Sequence, residues 1–319
     1  MNINPMRAAA AMAIFLSSAF FNGVAAQVKT AASAVPQFRT IKVVTQLAAT
    51  VWIDGVRFGK TGKNGVLEVR TVSVGGHSLR VRADGFKERS MPLTAVQKGE
   101  IKVPLVTTTD PAELTFQEAE RLTLVDREKA ADAYRKAVKL RPNYPEAFLA
   151  LARVLSETGD LDDAASAIAS ARKLRPGYAE STAVLARIYK DGGEEEKAIA
   201  TFKQAVTEVK GFQPEAITGL GLLYKEKAEE AGGAGDFEQE KEYYAESAKY
   251  LRSALKQLSG APDAIIIYQL VGLIYERLDK TADAIAVYEE FLRIFPDSPE
   301  ATAVRSFIVQ LKKPAEKTN

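Results

Sequence analysis

Between residues 38 and 107 the apolar positions recur with a period of two. Ile41 and Val43, Val51 and Ile53, Leu67 and Val69, Leu79 and Val81, and Ile101, Val103 and Leu105 alternate with polar neighbours. Alternation of this kind puts one face of each strand in a core. Asp54-Gly55, Asn64-Gly65 and Asp84-Gly85 separate the runs and supply the positive backbone dihedrals of tight hairpins, and Gly75-Gly76 marks another turn. Such strands in so short a stretch predict a small antiparallel β-sandwich over 38–107. From residue 110 the period becomes that of a helix, and the sequence repeats itself. Arg141-Pro142-Asn143-Tyr144 returns as Arg175-Pro176-Gly177-Tyr178, and Leu151-Ala152 returns as Leu185-Ala186, Leu220-Gly221 and Val271-Gly272. A step of about 34 residues predicts stacked helical hairpins, each unable to bury its apolar side alone.

The residue types of residues 110–312 resemble the tetratricopeptide repeat. Phe148, Leu151, Ala152 and Leu155 match the first-helix row, as do Leu185, Ala186 and Tyr189, then Leu220, Gly221 and Tyr224, then Tyr268, Val271, Gly272 and Tyr275. The small-bulky-small row of the second helix stands at Ala130, Tyr134 and Ala137, at Ala164, Ile168 and Ala171, at Ala198, Phe202 and Ala205, and at Ala284 and Tyr288. The resemblance implies a right-handed α-α superhelix of about five units, closed by an amphipathic capping helix over Pro299–Lys313. Two places depart from the pattern. Lys227 to about Tyr243 adds about 14 residues to the fourth unit, as either a surface loop or lengthened helices, and Phe291 fills a slot where the family has a small residue. Residues 38–107 resemble the PEGA domain, through Val51-Trp52-Ile53-Asp54-Gly55-Val56, Gly59-Lys60-Thr61, Gly75-Gly76-His77-Ser78-Leu79-Arg80-Val81 and Gly85-Phe86, with Val74 where that family has proline. The PEGA resemblance implies a binding or spacer module of bacterial surface or exported proteins, with no catalytic residues.

The ends and the join extend this organisation. Ala8 to Phe21 is almost unbroken apolar after Arg7, and Val24-Ala25-Ala26 offers small residues for cleavage before Gln27. Residues 1–26 therefore read as a secretory signal peptide, too short in its apolar stretch to span a bilayer well, with an uncleaved N-terminal anchor as the alternative. Residues 27–37 read as a linker and 313–319 as a disordered tail. The reading places the protein in the bacterial periplasm or cell envelope, with no membrane-spanning segment besides the leader. Asp110-Pro111 reads as a helix cap with proline at the first helical position. So short a join predicts that the sandwich sits against the first hairpin.

Charge and chemistry narrow the function. Residues 37–107 hold 12 Lys and Arg against 5 Asp and Glu, a net of +7, and residues 108–319 hold 29 against 36, a net of −7. Two halves of opposite sign suggest different partners for each. There is no cysteine and one histidine, His77, so disulfides, thiolate chemistry and a histidine-based zinc site are out of reach. Phosphate loops and nucleophile elbows are missing, and His77, beside a glycine turn, reads as structural. The chain is thus expected to be no enzyme, to need no cofactor or metal, and to bind no nucleic acid.

A superhelix of this kind leaves a concave groove lined by first helices. The register places Leu149, Arg153, Arg187, Lys190, Leu222, Lys225 and Gln269 there, with Ser156, Leu273 and Glu276. Arg153, Arg187, Lys190 and Lys225 form a basic strip suited to an acidic partner segment. The expected function is a non-catalytic protein–protein interaction scaffold. The alternative is a cell-wall or polysaccharide binding module, with the basic sandwich and an outward-facing Trp52 meeting an anionic polymer.

Overall fold

The computed structural model describes residues 38–313; the expected signal peptide, linker and terminal tail lie outside the described residues. Seven strands come first: β1 (Phe38–Val44), β2 (Thr50–Ile53), β3 (Val56–Lys60), β4 (Val66–Ser73), β5 (His77–Arg82), β6 (Arg89–Leu93) and β7 (Gly99–Lys102). They form a three-stranded sheet in the order β4-β1-β7 and a four-stranded sheet in the order β3-β2-β5-β6. The alternating residues do what their period requires: Ile41, Val43, Val51, Val69, Leu79, Val81, Ile101 and Val103 are buried between the sheets. The Asp54-Gly55 turn has both residues at positive φ, as a two-residue hairpin demands. One pair departs from the antiparallel expectation: β7 runs parallel to β1, with Ile41 opposite Gly99 and Val44 opposite Lys102. β7 adds to β1 on the edge away from β4, after β5 and β6 of the other sheet.

Eleven helices follow: α1 (Pro111–Leu122), α2 (Arg127–Leu140), α3 (Pro145–Thr158), α4 (Leu161–Leu174), α5 (Ala179–Asp191), α6 (Glu195–Glu208), α7 (Pro214–Gly233), α8 (Phe237–Leu258), α9 (Ala264–Arg277), α10 (Thr281–Ile294) and α11 (Ala301–Leu311). They make five antiparallel hairpins and a closing helix. Asp110 caps α1 by accepting a hydrogen bond from the Ala112 amide at 2.9 Å, ahead of Pro111. The repeated Arg-Pro-x-Tyr segment gives the same local geometry twice: Arg141 lies over the Tyr144 ring and Arg175 over Tyr178, each at 4.4 Å. The small residues set how close two helices come. A Cβ on Gly272 would fall 2.2 Å from the Tyr288 ring, and one on Gly221 would fall 2.5 Å from Leu251. Phe291, in place of a small residue, is fully buried and packs with Tyr268 and Phe295, so an aromatic cluster replaces the close approach there.

The extra residues of the fourth unit are helix. α7 and α8 have 20 and 22 residues where α3 and α4 have 14 each. Lys227 in the lengthened stretch reaches Glu195 of the preceding hairpin, and its ammonium lies 5.3 Å from the Tyr243 ring.

The sandwich packs against both ends of the helical array. At the start, Gln117 of α1 donates to the Phe86 carbonyl at 2.8 Å and accepts from the Gly85 amide at 2.8 Å. At the far end, Thr71 of β4 meets the α8–α9 turn so closely that a Cβ on Gly260 would fall 2.8 Å from its side chain. The sandwich core and the cores of the last two hairpins form one continuous buried apolar cluster.

Candidate functional site

The first helices of the middle hairpins pack on one another, α3 on α5 and α5 on α7, so first helices line the inner side of the curve. Directly after the small residue of each first helix stands one groove position. Glu120 follows Ala119, Arg153 follows Ala152, Arg187 follows Ala186, Leu222 follows Gly221 and Leu273 follows Gly272. These five residues form a ladder along the groove, because the small residue turns toward the second helix and its neighbour is rotated by about 100° away from it.

The cationic positions of the groove differ sharply in how they are used. Arg153 makes a bidentate pair with Glu215 at the start of α7, both bonds 2.6 Å, reaching from the second hairpin to the fourth. Burial opposes the charge on Arg153, and Glu215 outweighs it, holding the guanidinium above its ordinary value. Lys190 is 3.2 Å from Glu226 and 3.6 Å from Asp191, and Lys225 is 2.7 Å from Glu229. Ser156 donates to Asp191 at 3.2 Å. Three of the four cations in the expected basic strip therefore already have carboxylate partners. Arg187 is the exception. Among the described residues its guanidinium has no hydrogen-bond or ion-pair partner, and its Nη2 is shut away from solvent without an acceptor.

The apolar positions also divide. Leu149 does not line the groove: it is buried in the core of the first two hairpins, because neighbouring first helices close over it. Leu222 and Gln269 are half-buried, and Leu273 is 54% exposed. A feature without a local sequence signal lies beside Leu273. No packing like that of α5 on α7 joins α7 to α9, and a cleft of about 420 Å³ opens between them, lined by Tyr244, Leu270 and Ile274 with Leu273 at its mouth, and edged by Lys225, Glu229, Glu276 and Arg277. Tyr244 and Glu229 belong to the lengthened hairpin, so the extra helical turns build one wall.

The lowest rung is filled by the chain itself. Arg82 of β5 donates to Glu120 at 2.5 Å and to Glu88, with its guanidinium 4.6 Å from the Phe116 ring and 5.7 Å from Trp52. Burial alone would lower the Arg82 pKa, but Glu120 and Glu88 hold it raised. Burial pushes the Glu120 carboxyl above the usual range against the pull of Arg82. Trp52 is accordingly not a free surface aromatic. It is half-buried on the sheet face turned toward this joint, with Arg80 4.2 Å above its ring. Glu120 and Phe116 escape a reading of the sequence because their partner lies 38 residues from Glu120, on a strand.

His77 sits at the other end of the sandwich. Its Nδ1 is 2.6 Å from Asp54 Oδ2, and its Nε2 is 2.9 Å from the Ser73 carbonyl and 3.4 Å from the Ser73 hydroxyl. Asp54 also accepts from the Ser78 amide at 2.7 Å. The ring nitrogen that would have to accept a serine proton lies closer to a carbonyl, which it can only donate to, so this trio ties two turns together. Among the described residues no cluster of three His, Asp or Glu side chains could hold a metal ion, and no helix is long and apolar enough to cross a membrane.

The chain carries tetratricopeptide repeats: family models of that repeat match residues 126–173, 179–208 and 227–299. All three segments are helical, and the sandwich is matched by no PEGA family model. No curated protein sequence matches the chain. Among solved structures the chain is similar to the MamA protein (20% identity, 61% of this chain and 96% of that one, TM-score 0.40). It is also similar to a thermophilic TPR protein of Thermus thermophilus (19%, 63% and 98%, 0.44) and to yeast Tom70 (16%, 64% and 40%, 0.49).

Proposed function

We propose that this tetratricopeptide-repeat chain is a non-catalytic scaffold of the bacterial periplasm or cell envelope that holds a segment of a partner protein in its concave groove. The observation that carries the reading is the uneven use of the groove ladder. Its first two rungs are consumed by Arg82 and Glu215, and its last three, Arg187, Leu222 and Leu273, are left for another molecule. An exposed Leu273 beside a cleft with an apolar floor favours association with a protein chain. The signal-peptide-like sequence pattern of residues 1–26 and the PEGA-like sequence pattern of residues 38–107 support export. The test is a pulldown from envelope extract with the wild-type chain and with Leu222→Glu/Leu273→Glu. The scaffold reading expects a partner retained by the wild type and lost with the double variant at unchanged melting temperature. A partner held equally by both would remove the groove from the account.

The second reading, binding of an anionic wall polymer, keeps one supporting observation. Arg57, Lys60 and Lys63, on β3 and the turn after it, are exposed and have no ion-pair partner among the described residues. Sedimentation with purified wall polymer at low and high salt tests it, with salt-sensitive binding lost in a triple Arg57→Ser/Lys60→Ser/Lys63→Ser chain as the expected result.

A further inference from the structure

We infer that the free stretch of the groove is a two-point reader, taking a carboxylate on Arg187 and a large apolar side chain in the cleft between α7 and α9. The inference rests on the groove reading above and adds the chemistry of the segment bound. Arg187 is the point of charge. Its counterparts Arg153, Lys190 and Lys225 are each satisfied within the chain, whereas Arg187 presents a guanidinium with one nitrogen buried and unpaired. A buried donor without an acceptor is unfavourable, and a planar fork of donors fits a carboxylate better than any neutral group. The charge complementarity is therefore local, to one residue, and is not spread along a basic strip.

The apolar point is a half-open cleft. Tyr244 and Ile274 are buried at its floor, Leu273 stands exposed at its mouth, and the Lys225–Glu229 pair closes one side. Its volume of about 420 Å³ holds one leucine, phenylalanine or tryptophan side chain with room for water. First helices pack directly between α3 and α5 and between α5 and α7, whereas here Glu229 and Tyr244 of the lengthened fourth hairpin supply one wall of the cleft. Neighbouring helices lie about 8–10 Å apart, so Arg187 on α5 and a cleft beyond α7 are separated by roughly 15–20 Å, which an extended segment spans in about five residues. The segment recognised should carry Asp, Glu or a terminal carboxylate about five residues from a bulky apolar residue.

Panning a random dodecapeptide phage library on the full chain, on Arg187→Gln and on Leu273→Asp tests this, with melting curves to show that all three fold. The inference expects wild-type winners to share an acidic and a bulky apolar residue at that spacing. Arg187→Gln should erase the acidic preference and weaken a synthetic winning peptide about tenfold or more, while keeping the apolar one. Leu273→Asp should erase the apolar preference, and Arg187→Lys should recover part of the lost affinity. Winners that need Leu273 but show no acidic preference would overturn the inference and leave the groove reading standing. Winners indifferent to both substitutions, or no winners, would overturn both.

Discussion

Arg82 shows how much of this molecule rests on single side chains. Its guanidinium joins a strand to a helix through Glu120, is braced by Glu88, and lies between the rings of Trp52 and Phe116. Removing one partner of a buried pair leaves the other uncompensated, while replacing both partners by apolar groups of similar size removes the problem altogether. Glu120→Ala and Arg82→Met are therefore each expected to destabilise the chain by about 1–3 kcal/mol. Denaturant melts of both single variants and the double variant should show strong non-additivity. Asp110 gives the pH dependence. The hydrogen bond from Arg141 holds its carboxyl below the usual 3.8, against a smaller effect of burial. A carboxylate whose folded pKa is depressed contributes stability above its unfolded value, and loses it as pH falls through the folded one. The stability difference between the wild type and Asp110→Asn should thus be constant above about pH 5 and close as the pH drops below about 3.8. A difference that grows in acid would show that the Arg141 contact is not formed.

At the scale of elements, the repeat period does most of the organising. Ala164 and Ala198 are completely buried at equivalent places between paired helices. Leucine at Ala164 is expected to overpack its hairpin at a cost of about 1–3 kcal/mol, with the largest loss of amide protection in α3 and α4 when followed by hydrogen exchange. The small-residue rows and the turn glycines were readable from the sequence because each acts locally: Gly272 must be small for Tyr288 beside it, and Asp54-Gly55 must bend whatever surrounds it. The inserted stretch of the fourth hairpin was not decided by pattern, since Ala-Gly-Gly-Ala-Gly-Asp at 231–236 marks a turn and not the length of the helices around it. Long-range partners were the least legible. Nothing near Arg153 announces Glu215, 62 residues on, and nothing near Lys190 announces Glu226, so both looked free, whereas the Lys225–Glu229 pair, one helical turn apart, was a local signal left unread. The parallel place of β7 and the covering of Trp52 were hidden for the same reason.

At the scale of the whole molecule, the opposed charges of the two halves meet at the joint. The sheet face carrying Arg80 and Arg82 is turned toward Glu120, so part of the asymmetry serves the chain's own assembly and not an outside partner. The same module touches the α8–α9 turn, where Gly260 has a φ of +77° and no room for a side chain against Thr71. The sandwich thereby contacts both the start and the far part of the helical array, a bridge expected to restrain its curvature. Gly260→Val should push the turn off β4, costing about 1–3 kcal/mol and raising the radius of gyration in small-angle scattering. An unchanged radius with full stability would mean that the contact does not restrain the curve.

The central claim is that the concave side of the last three hairpins is where another protein chain lies. Placing a photo-crosslinking amino acid at Leu273, and in a parallel chain at exposed Lys203 on the outer helix α6, tests it in the native host. A discrete adduct from position 273, weakened when Arg187→Gln is added and absent from position 203, is the predicted result. Adducts that form equally from both positions, or from 203 alone, would contradict the account.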